Sequence, residues 1–324
     1  MKIGIIGAGG VGSATAFALI MKGIARKIVL IDQNDLRAQA EAEDIAHATP
    51  FAFSNKIKHG TYADLAGSNI VIITAGANQK VEQSRNALAE ANGKIFAEII
   101  PQIAHHAPDS ILLVATNPVD VMTFIALKLS NFPSNRVIGS GTVLDTARFR
   151  TLLGYHLGIS PTSIHANVLG EHGDTEVLCW SNALAGSIQI EKLAHELKKP
   201  LTSQTKKQID DQVRNAAYKI IKGKGSTTFG IAGALARICQ AINANEYAIL
   251  NTSSLRAEVE GIKNICLSLP CVIGKRGIHN QLYPKLSNHE HLLLQKSAQN
   301  IQNITQQTLK NITSKNAALQ KVSR

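Results

Sequence analysis

Three groups of residues in this chain could do chemistry. The first is Gly7-Ala8-Gly9-Gly10-Val11-Gly12, set between a β-rich run, Lys2 to Ile6, and an Ala-rich helix-forming stretch, Ser13 to Lys22. In such a turn Gly7 allows the tight bend, Gly9 lets the backbone approach a pyrophosphate, and Gly12 lets the helix pack closely on the strand. The free N–H groups and the dipole at the helix start then favour a bound anion. A second strand, Lys27 to Ile31, ends at Asp32, twenty residues beyond Gly12. A carboxylate there accepts hydrogen bonds from the ribose hydroxyls and repels a 2′-phosphate, so the expected cofactor is NAD rather than NADP. A glycine turn holding no ligand is the plainer reading of the six residues alone. The succession of strand, glycines, helix, strand and Asp favours the cradle.

The second group is Gly170-Glu171-His172-Gly173-Asp174, where a histidine flanked by glycines and acids reads as a loop residue rather than a core one. The third is Asp145 and Arg148, three apart in the helical run Val143 to Leu157 and so near one face. Taken alone, that pair reads equally well as an intrahelical salt bridge worth about 0.5 kcal/mol.

The elements around these groups alternate. Asp35 to Ala48 and Ser84 to His106 read as helices, with strands expected at Lys56 to His59, Ile70 to Thr74, Ile111 to Ala115 and Val137 to Gly139. Apolar strands separated by helices imply an α/β fold, a Rossmann-type doubly wound parallel sheet covered on both faces. Ligands bind at the carboxyl ends of such strands, so Ala75, Gly76 and the residues up to Asn78, with Thr116-Asn117-Pro118, should line the crevice. Beyond Gly141 the alternation is lost. Helices at Thr202 to Lys222 and Gly230 to Asn243, strand-like runs near Asn264 to Cys271, and a C-terminal helix from Ser287 that frays suggest an α+β substrate-binding domain. With 324 residues, the expected division is 1–140 and 141–324.

Composition narrows the function classes. A hydrophobic fraction of 44% and a charged fraction of 18% are those of a globular protein, and 4% aromatic content leaves the core to Ala, Ile, Leu and Val. The formal charge of +11 is scattered, with no basic block longer than pairs such as Lys198-Lys199, so neither nucleic acid nor a membrane is expected as partner. Positive charge instead favours capture of small anions. Cys179, Cys239, Cys266 and Cys271 form no C-x-x-C pair, which fits free thiols in a reducing cytoplasm, and no metal site is expected. The uncharged stretch from Ile3 to Met21 could pass for a signal peptide, but the glycines at 7, 9, 10 and 12 interrupt it, and no targeting segment is expected.

The chain resembles the L-lactate/L-malate dehydrogenase family over nearly its whole length. The motifs carrying the resemblance are Gly-Ala-Gly-Gly-Val-Gly at 7–12, Thr-Asn-Pro-Val-Asp at 116–120, Leu-Asp-Thr-Ala-Arg at 144–148 and Gly-Glu-His-Gly-Asp-Thr at 170–175. The resemblance implies that His172 is the general acid/base, that Asp145 orients it and favours the imidazolium, and that Arg148 grips a substrate carboxylate through paired N–H bonds. It also implies that Arg85 polarises the substrate carbonyl, that Asn117 contacts substrate and nicotinamide ribose, and that Pro118 is cis. Thr227 would lie in the substrate pocket, and Ile231, with Val11, against the cofactor.

One position separates substrates within the family. Where malate dehydrogenases carry an arginine for the second carboxylate, this chain has Gln79, which implies pyruvate and lactate as partners, with malate or a branched 2-hydroxy acid the alternative. The neighbouring Lys80 could reach inward, though relatives with lactate activity carry it too. The segment Lys80 to Ser84 lacks the Pro and Gly common among relatives. Arg150 and His165 match a pair that binds fructose 1,6-bisphosphate at a subunit interface in some members, and a homotetramer serving glycolysis and fermentation is the expected assembly. Both residues read equally well as ordinary interface residues.

Overall fold

The computed structural model describes residues 1–53, 56–77 and 84–322, the side chains of 313–322 excepted. The first half alternates β1 (Lys2–Ile6), α1 (Gly10–Met21), β2 (Lys27–Ile31), α2 (Asp35–His47), β3 (Lys56–His59), β4 (Ile70–Ile73), α3 (Arg85–His106), β5 (Ile111–Val114), α4 (Val119–Ser130) and β6 (Val137–Gly139). Every residue of β4 and β5 is buried, as a strand covered by helices on both faces requires. Local chemistry sets the helix starts: the Asn34 side chain accepts from Arg37 N to cap α2, and Ser84 accepts from Ala87 N to cap α3.

The second half begins with α5 (Val143–Leu157), which ends on Gly158 in the left-handed region. It continues through β7 (Ile164–Leu169), β8 (Val177–Ala185), β9 (Ile188–Gln189), α6 (Ile190–Glu196), α7 (Ser203–Arg214), α8 (Ala216–Lys224), α9 (Phe229–Asn243), β10 (Ala248–Val259), β11 (Ile262–Gly274), β12 (Gly277–Gln281) and α10 (Asn288–Val322). Strands β7 to β9 form a separate antiparallel sheet.

The large sheet runs β3-β2-β1-β4-β5-β6-β10-β11-β12 among the described residues. Its first six strands are parallel, and the order reverses between β1 and β4, which opens the crevice at their carboxyl ends. Strand β10 joins antiparallel to β6, with Ser253 opposite Gly139, so the sheet passes without interruption from the first half into the second. One core cluster, including Ile3, Ile72, Leu235 and Ile273, likewise draws on both halves.

One sequence expectation changes, and two elements had no counterpart in the sequence reading. The helix expected over Thr202 to Lys222 is two, meeting at Asn215, whose side-chain amide donates to Asp211 O at 2.8 Å and so competes with its own backbone N–H for that carbonyl. Helix α4 had no amphipathic signal because nearly all of it, Val119 to Ala126 included, is buried. Strand β10 buries Asn251, Thr252, Ser253 and Ser254, a polar run that hides its strand character. All four cysteines are free and buried. No helix among the described residues is long and apolar enough to cross a membrane.

Candidate functional site

The glycine turn lies at the crevice. Gly7 has φ +108°, and a Cβ there would meet Ala75 N at 2.6 Å; one at Gly12 would collide with the Gly7 carbonyl. At Gly9, by contrast, a Cβ would meet nothing within 4 Å, so space is open directly above the start of α1. Asp32 closes the turn from β2: its Oδ2 accepts from Ala8 N at 2.7 Å and its Oδ1 from Asn34 N at 3.0 Å. Thr116 donates its hydroxyl to Ala75 O at 2.7 Å and packs against Gly76. Asn92, buried on α3, then clamps the two crevice loops, accepting from Ala77 N at 2.7 Å and donating to Asn117 O at 2.6 Å. The Asn117–Pro118 bond is cis. Tight glycines beneath, open space above the α1 N–H groups and a carboxylate at the end of β2 are what a dinucleotide needs, and the residues fit NAD.

A cavity beside this turn is lined by Val11, Asn117, Asp145, Arg148, His172 and Thr227, with Arg85 and Ile231 also on its wall. Side chains from widely separated parts of the chain therefore converge. The loop carrying His172 is held from three sides: Gly170 exchanges backbone hydrogen bonds with Ser268 of β11, Ser297 of α10 accepts from Glu171 N at 2.8 Å, and Asp120 of α4 accepts from His172 N at 2.8 Å. Helix α5 is pinned to β7 by Thr142, which donates to Val168 O at 2.5 Å, and by Thr146, which accepts from Val168 N at 3.0 Å.

Asp145 is the hub. Its Oδ2 meets His172 Nδ1 at 2.5 Å and its Oδ1 accepts from Arg148 at 2.8 Å, with Asp145 almost wholly buried. The Asp145–Arg148 pair is thus an intrahelical salt bridge and also part of the cavity wall. Burial pushes against the charge on His172, but Asp145 outweighs it and holds the imidazole up at about 9. Asp145 in turn is opposed by burial and drawn down by His172 and Arg148. At neutral pH the arrangement presents a protonated imidazole to the cavity, able to give up a proton there.

Arg85, at the first turn of α3, is held by carboxylates: Glu171 at 2.9 Å and Asp174 at 3.3 Å, with His172 O at 3.4 Å. Its guanidinium lies against Gly173, where any Cβ would collide with it. Glu171 is fixed by bonds from Thr175 and from Asn300 Nδ2. Arg150 points elsewhere, donating from Nε to Ala166 O at 3.0 Å, beside the exposed His165 on β7. Gln79 lies outside the described residues.

Sequence reasoning missed several residues that the fold places here. Asp120 is fully buried and pushed by burial up to about 6. Glu176, pushed by burial and Asp145 up to about 8, lines the same cavity. Asn92 carried a usable signal, a polar residue on the buried face of α3. Among the described residues no cluster of acids, histidines or cysteines could hold a metal ion.

A doubly wound sheet with this glycine turn and a proton-holding site beside it defines a nicotinamide-dependent oxidoreductase of the dehydrogenase class. Comparison with known proteins gives the family. Residues 1–139 match the lactate/malate dehydrogenase NAD binding domain, and residues 142–312 match the lactate/malate dehydrogenase alpha/beta C-terminal domain. The chain belongs to the lactate/malate dehydrogenase family, and its cofactor is NAD. It is 51% identical to an L-lactate dehydrogenase of Allorhizobium ampelinum, over 94% of this chain and 98% of that protein. It is 49% identical to one of Thermus aquaticus, over 92% and 96%. The crystal structure of a minor L-lactate dehydrogenase from Enterococcus mundtii superposes with a TM-score of 0.90 at 34% identity, covering 94% of this chain and 97% of that one.

Proposed function

We propose that the enzyme reversibly reduces pyruvate to L-lactate, with His172 as the proton donor. The observation carrying this reading is the single carboxylate, Asp145, that holds both an imidazolium and the Arg148 guanidinium at the wall of one cavity. Arg148 binds the carboxylate of the 2-oxo acid and so fixes which face of its carbonyl meets the cofactor. NADH, when bound, supplies the hydride. His172 gives its proton to the carbonyl oxygen, and Arg85 steadies the charge that develops on that oxygen. Asn117 orients substrate and ribose, Thr227 and Ile231 complete the pocket, and Gly7, Gly9, Val11, Gly12, Asp32, Ala75, Gly76 and Thr116 hold the cofactor. In this reading residues 1–140 serve NAD and 141–324 the substrate.

Gln79 favours pyruvate over oxaloacetate, because burying a second carboxylate without a cationic partner costs several kcal/mol. The test is NADH absorbance with pyruvate, oxaloacetate and branched 2-oxo acids side by side. Pyruvate is expected to be turned over fastest, and Gln79→Arg to shift preference toward oxaloacetate by about two orders of magnitude or more. A wild type that prefers oxaloacetate would overturn the assignment.

We propose further that the chain works as a cytoplasmic homotetramer in glycolysis and fermentation, activated by fructose 1,6-bisphosphate at Arg150 and His165. Supporting this, Arg150 donates to the carbonyl of Ala166 on β7, the residue next to the exposed His165. Cationic groups brought together across a two-fold axis repel until an anion neutralises them. Titration with the bisphosphate should lower the apparent KM for pyruvate in the wild type and not in Arg150→Gln; no response at any pH would dismiss the site.

A further inference from the structure

Glu176 is the acid in this cavity for which the proposed reaction has no use. It is 3% exposed, lines the cavity with Asp145, Arg148 and His172, and its Oε1 is sealed from solvent with no hydrogen-bond partner. None of the ion pairs among the described residues includes it. The surrounding charges are already matched. On α5, Asp145 takes both Arg148 and the His172 ring. Arg85 is held by Glu171 and Asp174, and Arg214 of α7 by Asp210 at 3.2 Å. Asp120 of α4 is met by the His172 backbone N–H and the Ser268 hydroxyl. Among the described residues no cation within ion-pair distance is left for another carboxylate, and an ionised, unpaired carboxylate in such a place is strongly disfavoured.

We propose that Glu176 is a positioning residue kept as a neutral carboxylic acid beside the Asp145–Arg148 pair, and that its neutrality leaves Arg148 free for the substrate's carboxylate. The charge count gives the reason. Asp145 with His172 and Arg148 carries one net positive charge, which the carboxylate of a 2-oxo monoacid cancels. Were Glu176 ionised, it would cancel that charge first, and the incoming anion would meet a second negative group across a low-dielectric pocket. Raising the pH therefore discharges the site twice, once through Glu176 near pH 8 and once through His172 near pH 9.

This proposal deepens the reading of the site given above, and two measurements separate their fates. Infrared difference spectra of the wild-type holoenzyme minus Glu176→Gln, without substrate, should show a protonated-carboxyl C=O band at pH 6.5 that fades as pH passes about 8. Absence of that band at pH 6.5 would overturn the proposal whatever the enzyme's substrate. In kinetics, Glu176→Gln keeps a neutral group of the same shape, so KM for pyruvate at pH 6.5 should stay within about twofold of wild type. Log KM should begin to climb near pH 8 in the wild type but only near pH 9 in the variant, and above pH 9 the slope should approach about 1 in the variant and be steeper in the wild type, with kcat at saturating pyruvate moving alike in both. Parallel KM profiles would overturn the proposal and leave the function of the site standing.

Discussion

His172 and Arg148 both depend on one carboxylate, Asp145, and the pH behaviour of the site follows from that sharing. With His172 held up at about 9, pyruvate reduction should keep its kcat/KM through neutral pH and lose it as pH rises from about 8, where Glu176 ionises, through about 9, while lactate oxidation, which needs the neutral ring, should gain as His172 deprotonates. Asp145→Asn removes the charge that outweighs burial, so the decline in pyruvate kcat/KM should move to below the ordinary histidine value of 6.5; an unmoved profile would detach Asp145 from His172. His172→Asn should abolish turnover while leaving NADH binding largely intact. The same linkage has a stability side. Because the folded-state value is raised, the stabilising contribution of the pair is full below about 6.5 and is lost as pH rises through about 9, which thermal melts across that range should record.

At the scale of elements, the glycine turn is the feature least tolerant of change. A methyl group at position 12 has nowhere to go except into the Gly7 carbonyl, so Gly12→Ala should move α1 off β1, lower Tm and weaken NADH binding about tenfold or more, measurable by cofactor fluorescence. This turn was fully legible in the sequence, as were β1 to β6, because buried parallel strands are written as uninterrupted apolar runs such as Ile70–Ile73. Strand β10 was not legible: it buries the polar run Asn251 to Ser254, and the partners of Asn251 on α5 and β7 are tertiary ones that no local pattern announces. Helix α4 escaped for a different reason, being buried nearly all round. Motif residues such as Asp145, Arg148 and His172 could be picked out individually, yet their convergence on one cavity depends on contacts between α5, β11, α10 and α4. Asp120 and Glu176 became visible only through burial.

For the whole molecule, the scattered positive charge and the exposed apolar side chains call for different partners. Phe17, Phe51 and Phe53 are exposed, and Phe53 lies close against Gly23 at the end of α1. Large apolar groups gathered in this way are typical of surfaces covered by another subunit. For the homotetramer proposed above, sedimentation velocity at micromolar concentration should give the mass of four chains, and replacing Phe17 and Phe51 with Ser should lower it; a wild type that sediments as a single chain would overturn that proposal.

The junction of β6 with β10 has a consequence for how this protein can be taken apart. A fragment ending at residue 140 would carry a complete glycine turn, yet the flank of its outermost strand would be left with bare amide and carbonyl groups, a template for aggregation. The nucleotide-holding half is thus no interchangeable cassette. It and its neighbour are woven at one seam, so neither can be exchanged for a foreign counterpart unless that counterpart brings a strand to fill the same gap.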